Sequence, residues 1–189
     1  MKLSKSFYNI SFRNVKSVVI IAMIASLTVV GRIMFAFIPN VQPVTTIIII
    51  VTLVMGLKYG VVVSGLSIIL SNLVLGIGLW TIPQIIGYMV IALLTGFVIR
   101  PLFERISHII LSVYAAFTGL LYGFIMSFWQ APIYGMKYFW VYYISGLPFD
   151  MYHALGNFGF YFILAPILIP LLHKLLIRYY NIDGSGAKR

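Results

Sequence analysis

The chain has 189 residues, 62% of them hydrophobic and only 8% charged, with a mean hydropathy of +1.07. A soluble domain carries about a quarter charged residues, so there is too little polar surface here to coat a globule in water, and a soluble fold is excluded. Cysteine is absent and the formal charge is +10; the first excludes disulfides and thiolate metal sites, and the second reads as the basic bias of cytoplasmic membrane loops rather than as nucleic-acid binding.

The expected fold is an all-α transmembrane bundle of six helices forming one domain, residues 1–189. Residues 1–14 read as a retained basic leader on the cytoplasmic side, without the pattern of a cleaved signal peptide. A helical span needs about 20 apolar residues, fewer when it is buried inside a bundle. The first span is predicted over Val15 to Ile38, stopped by Pro39, and a shorter second one over Pro43 to Met55, ended by Gly56. Tyr59 to Leu75, Ile82 to Ile99 and Ser107 to Phe128 are the third, fourth and fifth. The sixth is predicted to start near Pro148 and run to Ile177, with Pro166 and Pro170 as bending points because proline removes an intrahelical bond. Residues 179–189 form a tail.

Six spans put both termini on one side. With that side cytoplasmic, only Arg32 and Lys137 of the 13 basic residues fall toward the outside, as the positive-inside tendency requires. The outer connections are then "FAFIPNVQPVTT" (35–46), "SNLVLGIGLWTIPQ" (71–84) and the aromatic stretch from Trp129 to Asp150. Polar and ring chemistry gathers on that face, while the inner turns are short and charged.

No catalytic constellation is present. The acids are Glu104, Asp150 and Asp183, the histidines His108, His153 and His173, and no P-loop or zinc motif occurs. The chain is expected not to be an enzyme, to hold no metal and to need no cofactor. Coupled transport usually places ionisable groups deep in the spans, and these spans have almost none, so the chain looks unable to energise transport alone.

Arg32 is the exception. It is either an interfacial anchor for the first helix or a polar floor for an outer ligand pocket. Asp150 and His153 are three apart and Asn157 lies one turn further, so the three form a polar stripe on one helix face. Asp150 alone is equally well read as an acid favoured at a helix N-terminus. The outer rings Trp80, Trp129, Trp140, Tyr134, Tyr138, Tyr142 and Tyr143 are an interfacial belt, a pocket lining, or some of each. Asn40, Gln42, Thr45, Asn72 and Gln84 supply fixed polar groups for such a pocket or cap helix ends. Gly76 and Gly78 make the 71–84 turn a candidate lid, with Trp80 and Gln84 reaching a ligand. In the first helix Ala22 and Ser26 are four apart, a small-residue pair that permits close helix approach and so a candidate partner-binding face.

Together, "PNVQPVTTIIII" (39–50) and the segment "MGLKYGVVVSGLSIILSNLVLGIGLWTIPQIIGYMV" (55–90) resemble the substrate-binding S components of energy-coupling factor (ECF) vitamin transporters. The likeness covers the whole chain in layout and Arg32 to Gln84 by motif. It implies a multi-pass protein of the prokaryotic plasma membrane that binds a vitamin or its precursor from outside. It also implies partners, a transmembrane coupling subunit and two cytoplasmic ATPase subunits, which Ala22 and Ser26 would meet, with serine replacing the family's usual second alanine. The variant motif lies nearest the S components for cobalamin or cobinamide; riboflavin, pantothenate and pyridoxine-type compounds are the alternatives. A self-sufficient secondary carrier and a membrane scaffold without a small ligand are the rival readings from other classes.

Overall fold

A computed structural model describes residues 14–135, 137 and 139–180. Residues 1–13 of the expected leader, 181–189 of the expected tail, and Tyr138 lie outside the described residues. The described chain forms helices α1 (Val15–Met34), α2 (Val44–Met55), α3 (Leu57–Leu75), α4 (Thr81–Leu94), α5 (His108–Tyr134) and α6 (Phe139–Tyr180). Beyond α4 the chain continues as a π-helical turn, Thr95–Ile99, and a 3₁₀ turn, Arg100–Arg105.

Local chemistry sets the boundaries. The Asn14 side chain accepts from the Lys16 backbone N–H and opens α1, and Ser107 accepts from Ile110 to open α5, as polar caps do for orphan helix donors. Gly56 at φ 108° is the single residue between α2 and α3, and Gly76 at φ 107° ends α3, a backbone region that side chains rarely tolerate. Asn40, at φ 59°, takes the left-handed conformation in the turn between α1 and α2, which asparagine tolerates better than most residues.

Among the described residues five stretches are long and apolar enough to cross a membrane: Val15–Met34, Leu57–Leu75, Thr81–Arg105, His108–Ile133 and Phe139–Tyr179. The remaining helix, α2, has 12 residues, a rise of about 18 Å against a hydrocarbon core of about 30 Å. It is instead the centre of the bundle. Every residue of α2 except Val54 is buried, and α2 packs against every other helix. The short second span foreseen from the sequence therefore owes its length and its run of isoleucines to being wrapped by protein on all sides. Its last turn does not reach water; the Arg100 guanidinium donates to the Leu53 carbonyl at 3.2 Å and satisfies an end that lipid would leave orphaned.

Around α2 the other helices pack in the order α1, α3, α4, α5, α6. The gap between α1 and α6 is filled by the turn after α1, where Phe35 meets Phe160 edge-on at 5.0 Å and Val41 lies against Gly156. The Lys16 ammonium donates to the Tyr179 carbonyl at 2.7 Å, so the beginning of α1 and the end of α6 meet at one end of the bundle.

Three expected boundaries are corrected. The helix α1 stops at Met34 rather than Ile38, and turns occupy the residues up to Asn40. The helix α5 runs six residues past Phe128, and α6 begins nine residues before Pro148. The stretch Trp129 to Asp150 is therefore no loop but the two arms of a helical hairpin turning at Gly135, φ 100°. Rings hold the arms together. Phe139 packs edge-on against Phe124 at 5.8 Å and Phe128 at 6.5 Å, and Tyr143 packs against Phe124 at 5.6 Å. These contacts outweigh the one intrahelical bond that Pro148 removes. Asp150 consequently sits well inside α6, which replaces its reading as an N-terminal acid.

Candidate functional site

At the end of the bundle opposite the Lys16–Tyr179 contact lies a cavity of about 330 Å³. Arg32 projects toward it from the last turn of α1, 7% exposed. Its Nε–H donates to Gln42 Oε1 at 3.1 Å, one Nη donates to both Ser71 Oγ at 2.5 Å and Asn72 Oδ1 at 2.9 Å, and the other donates to Gln84 Oε1 at 3.4 Å. The guanidinium fork thus joins α1, the turn before α2, α3 and α4. Asn72 completes the net by donating from Nδ2 to Thr81 Oγ1 and to Gln84 Oε1, both at 2.9 Å. Thr81 in turn accepts from the Gly78 backbone N–H at 3.3 Å, which fixes the 76–80 turn. The "SN…WT..Q" spacing works because Ser71, Asn72, Thr81 and Gln84 are all parts of one cradle for Arg32.

The opposite wall comes from α5 and α6. Asp150 is 8% exposed, and its carboxylate lies directly against Gly123, where any Cβ would collide with it. His153, one turn along α6, is held through Nε2 by Thr45 Oγ1 of α2 at 3.0 Å. Tyr122 stands edge-on to the His153 ring at 5.2 Å, and Tyr88 packs on Tyr122 at 4.7 Å. Gly87 gives Tyr122 its room. Asn40 Nδ2 donates to the Phe149 carbonyl at 3.2 Å, tying the turn after α1 to α6 beside the cavity.

Of the ten residues that the sequence nominated, Arg32, Asn40, Gln42, Gln84, Asp150 and His153 line this cavity. The other four do not. Asn72 and Thr45 stand one layer behind, holding Arg32 and His153. Asn157 is fully buried below the cavity with both amide atoms unpartnered among the described residues. Trp80 is half exposed and folds back over Gly78, whose missing Cβ makes the space for the indole. That is the use of the second glycine in the turn: contact with Trp80 decides it.

Sequence reasoning missed Ser71, Tyr88, Tyr122 and Gly123. Tyr88 lies four residues after Gln84, and Tyr122 and Gly123 lie four before Met126 and Ser127, which also line the cavity. Helical spacing from an amide already singled out would have found the first. The second pair lies one helical turn from Ser127 on α5 and had no singled-out charge or amide to lead to it. Of the rings taken for the outer belt, Tyr142 reaches the cavity wall, while Trp129 and Trp140 are exposed.

On α1, the buried side is Ser17, Ile20, Ile21, Ile24, Ala25, Thr28 and Arg32. Ala22 and Ser26 are on the other side, exposed among Val18, Met23, Leu27 and Val30.

Among the described residues no group of His, Cys, Asp and Glu is placed to hold a metal ion. No curated protein and no solved structure matches the chain. Residues 16–165 match the family model described as "ECF transporter, substrate-specific component". That span begins within α1 and ends within α6, so it takes in the cavity and all its walls. The chain belongs to the ECF transporter substrate-specific components, multi-pass plasma-membrane proteins that serve vitamin uptake with coupling and ATPase subunits and are not enzymes.

Proposed function

We propose that the cavity between Arg32 and Asp150 is the vitamin site, that it opens to the outside of the cell, and that both termini are cytoplasmic. The observation that carries this reading is a pocket with a few fixed polar groups and an aromatic wall at one end of an apolar bundle. Ligand sites of this kind have volumes of about 300–1,000 Å³ and combine apolar walls with few oriented polar groups. The positions of Lys16, Lys58, Arg100, Arg105, Lys174 and Arg178, at the end away from the cavity, support this orientation through the positive-inside tendency.

A vitamin in the size range of riboflavin, pantothenate or a pyridoxine-type compound suits a cavity of about 330 Å³. Tyr88 and Tyr122 would pack on its apolar part, and Gln42 and Gln84 would fix its polar edge. A second reading is a corrinoid, cobalamin or cobinamide, which the motif variant suggested. It is favoured by the ring-rich hairpin tip beside the cavity, where Trp140 and Tyr142 are exposed. A whole corrinoid exceeds the cavity, so this reading requires the hairpin to swing away from α4 on binding.

The test is thermal unfolding of the purified protein against these vitamins, because a ligand that binds only the native state raises its stability. Mass spectrometry of small molecules carried through purification identifies the ligand directly. For the ligand so found, Gln84→Ala and Tyr88→Leu are each expected to weaken binding by about tenfold or more, the equivalent of about 1.4 kcal/mol. Trp80→Ala is expected to stay within about threefold, since losing a half-exposed ring off the wall forfeits little of that energy. Equal losses at Trp80 and Gln84 would move the site to the 76–80 turn.

The exposed side of α1 is the proposed docking face for the coupling subunit, with Ala22 and Ser26 at the point of closest approach. Ala22→Trp is expected to leave vitamin binding intact and to abolish co-purification with the coupling and ATPase subunits. Normal co-purification of that variant would place the docking face elsewhere.

A further inference from the structure

The two walls of the cavity are opposite in hydrogen-bonding sense, and we infer that its ligand carries an oxyanion, a carboxylate or phosphate group, seated against Arg32, Gln42 and Gln84, with hydroxyl or N–H donors directed at Asp150. This rests on the vitamin-site reading above and specifies the ligand's polarity.

The argument begins with Arg32. Every acceptor on its guanidinium is a neutral oxygen: two amides of glutamine, one of asparagine and one serine hydroxyl. The positive charge is therefore oriented but not neutralised. A guanidinium has five N–H groups, and these bonds commit four, leaving one on the Nη that faces Gln84. The cradle also fixes the amides. Gln42 and Gln84 both spend their carbonyl oxygens on Arg32, and Gln84 Oε1 receives Asn72 as well. Their N–H₂ groups are the ends left over, and both residues line the cavity. This wall consequently offers donors and a full positive charge, with the second lone pair of Gln42 Oε1 as the acceptor capacity left on these three side chains.

The facing wall offers the reverse. Asp150 is an acceptor with both oxygens against Gly123, and it makes no hydrogen bond or ion pair among the described residues. It lines the same cavity as Arg32, yet the two do not pair across it. Keeping a buried cation and a buried anion apart in a membrane bundle is costly. A ligand with complementary ends supplies each with its partner, and charge-assisted bonds to a guanidinium fork favour carboxylate and phosphate geometry. A neutral ligand can donate to Asp150 but leaves the Arg32 charge without a counter-charge.

The experiment compares oxyanion vitamins with neutral counterparts on the intact purified protein, by thermal shift and calorimetry. Suitable pairs are pantothenate and panthenol, biotin and its methyl ester, pyridoxal 5′-phosphate and pyridoxal, riboflavin 5′-phosphate and riboflavin, and cobalamin, which has a phosphodiester, and cobinamide, which lacks it. In the pair that binds, the oxyanion member is expected to bind at least about thirtyfold more tightly, the loss typical of unpairing a buried charge. Gln42→Glu places a carboxylate where the Arg32 Nε–H already points, so the fold survives while the site's charge is cancelled. This variant is expected to lose the oxyanion member by a similar factor with an unchanged or raised melting temperature. Equal or tighter binding of a neutral member, or unaltered affinity in Gln42→Glu, overturns the inference and leaves the vitamin site standing. Binding by no member of any pair overturns both.

Discussion

Arg32→Met is expected to destabilise the protein by about 3–5 kcal/mol, the sum expected when several buried polar groups lose one shared donor. Methionine fills much of the same space, so the loss is not one of packing. It strips the hydrogen-bond donor from the Gln42, Ser71, Asn72 and Gln84 oxygens at once, and each buried polar group left unsatisfied costs about 1–3 kcal/mol. Asn72 and Gln84 recover part of this through the bond they already share. For a chain of this size the melting temperature of the detergent-solubilised protein should fall by about 6 °C or more. Arg32→Lys should fall between the two, because an ammonium keeps the charge but cannot span acceptors on four segments. A melting temperature for Arg32→Met within about 2 °C of the parent, below the shift of 1 kcal/mol, would show that the cradle contributes no stability and that Arg32 serves ligand binding alone.

The second large effect is expected at Gly119. In α5 this residue lies so close to α6 that an added Cβ would meet the Ala154 backbone nitrogen at 2.8 Å, its Cα at 2.9 Å and the His153 carbonyl carbon at 3.0 Å. These are backbone atoms of a helix, and no rotamer change relieves the overlap. Gly119→Ala should cost about 1–3 kcal/mol, and Gly119→Val should abolish folded yield. Because His153 and Asp150 ride on the same segment of α6, Gly119→Ala should also loosen ligand binding by moving the acidic wall. Gly159→Ala in α6 is the control: nothing lies within 4 Å of its added Cβ, and a helical glycine replaced by alanine gains up to about 1 kcal/mol. Comparative thermal melts decide the matter. Equal stability of the two alanine variants would mean that α5 and α6 sit farther apart than this geometry places them.

The helix count, the burial of the short second helix and the turns at Gly56 and Gly76 were legible along the chain. Each depends on a run of neighbours: a stretch of isoleucines, or a glycine where the backbone must adopt positive φ. The small-residue pair Ala22 and Ser26 was legible for the same reason, and it lies on the exposed side of α1. The end of α5 and the start of α6 were misread, because Pro148 is a strong local signal for a helix start. What overrides it is the edge-on packing of Phe139 and Tyr143 against Phe124, a contact between arms that local patterning does not report.

The candidate site divides along the same line. Residue type alone marked Arg32, Gln84, Asp150 and His153, since a charge or amide in hydrocarbon must have a reason. Whether Arg32 meets Asp150 or a set of neutral oxygens was a question about helices far apart in sequence; Ser71 is 39 residues away and Gln84 is 52. The sequence by itself therefore determined the solvent and the number of helices. Only the tertiary structure decided that the fork of Arg32 is held by uncharged groups, that Tyr88 and Tyr122 form the wall, and that Trp80 does not. The reason is physical: partitioning into lipid adds up residue by residue along a segment, whereas a hydrogen-bonded cradle depends on the relative rotation and approach of several helices, which close packing around α2 sets.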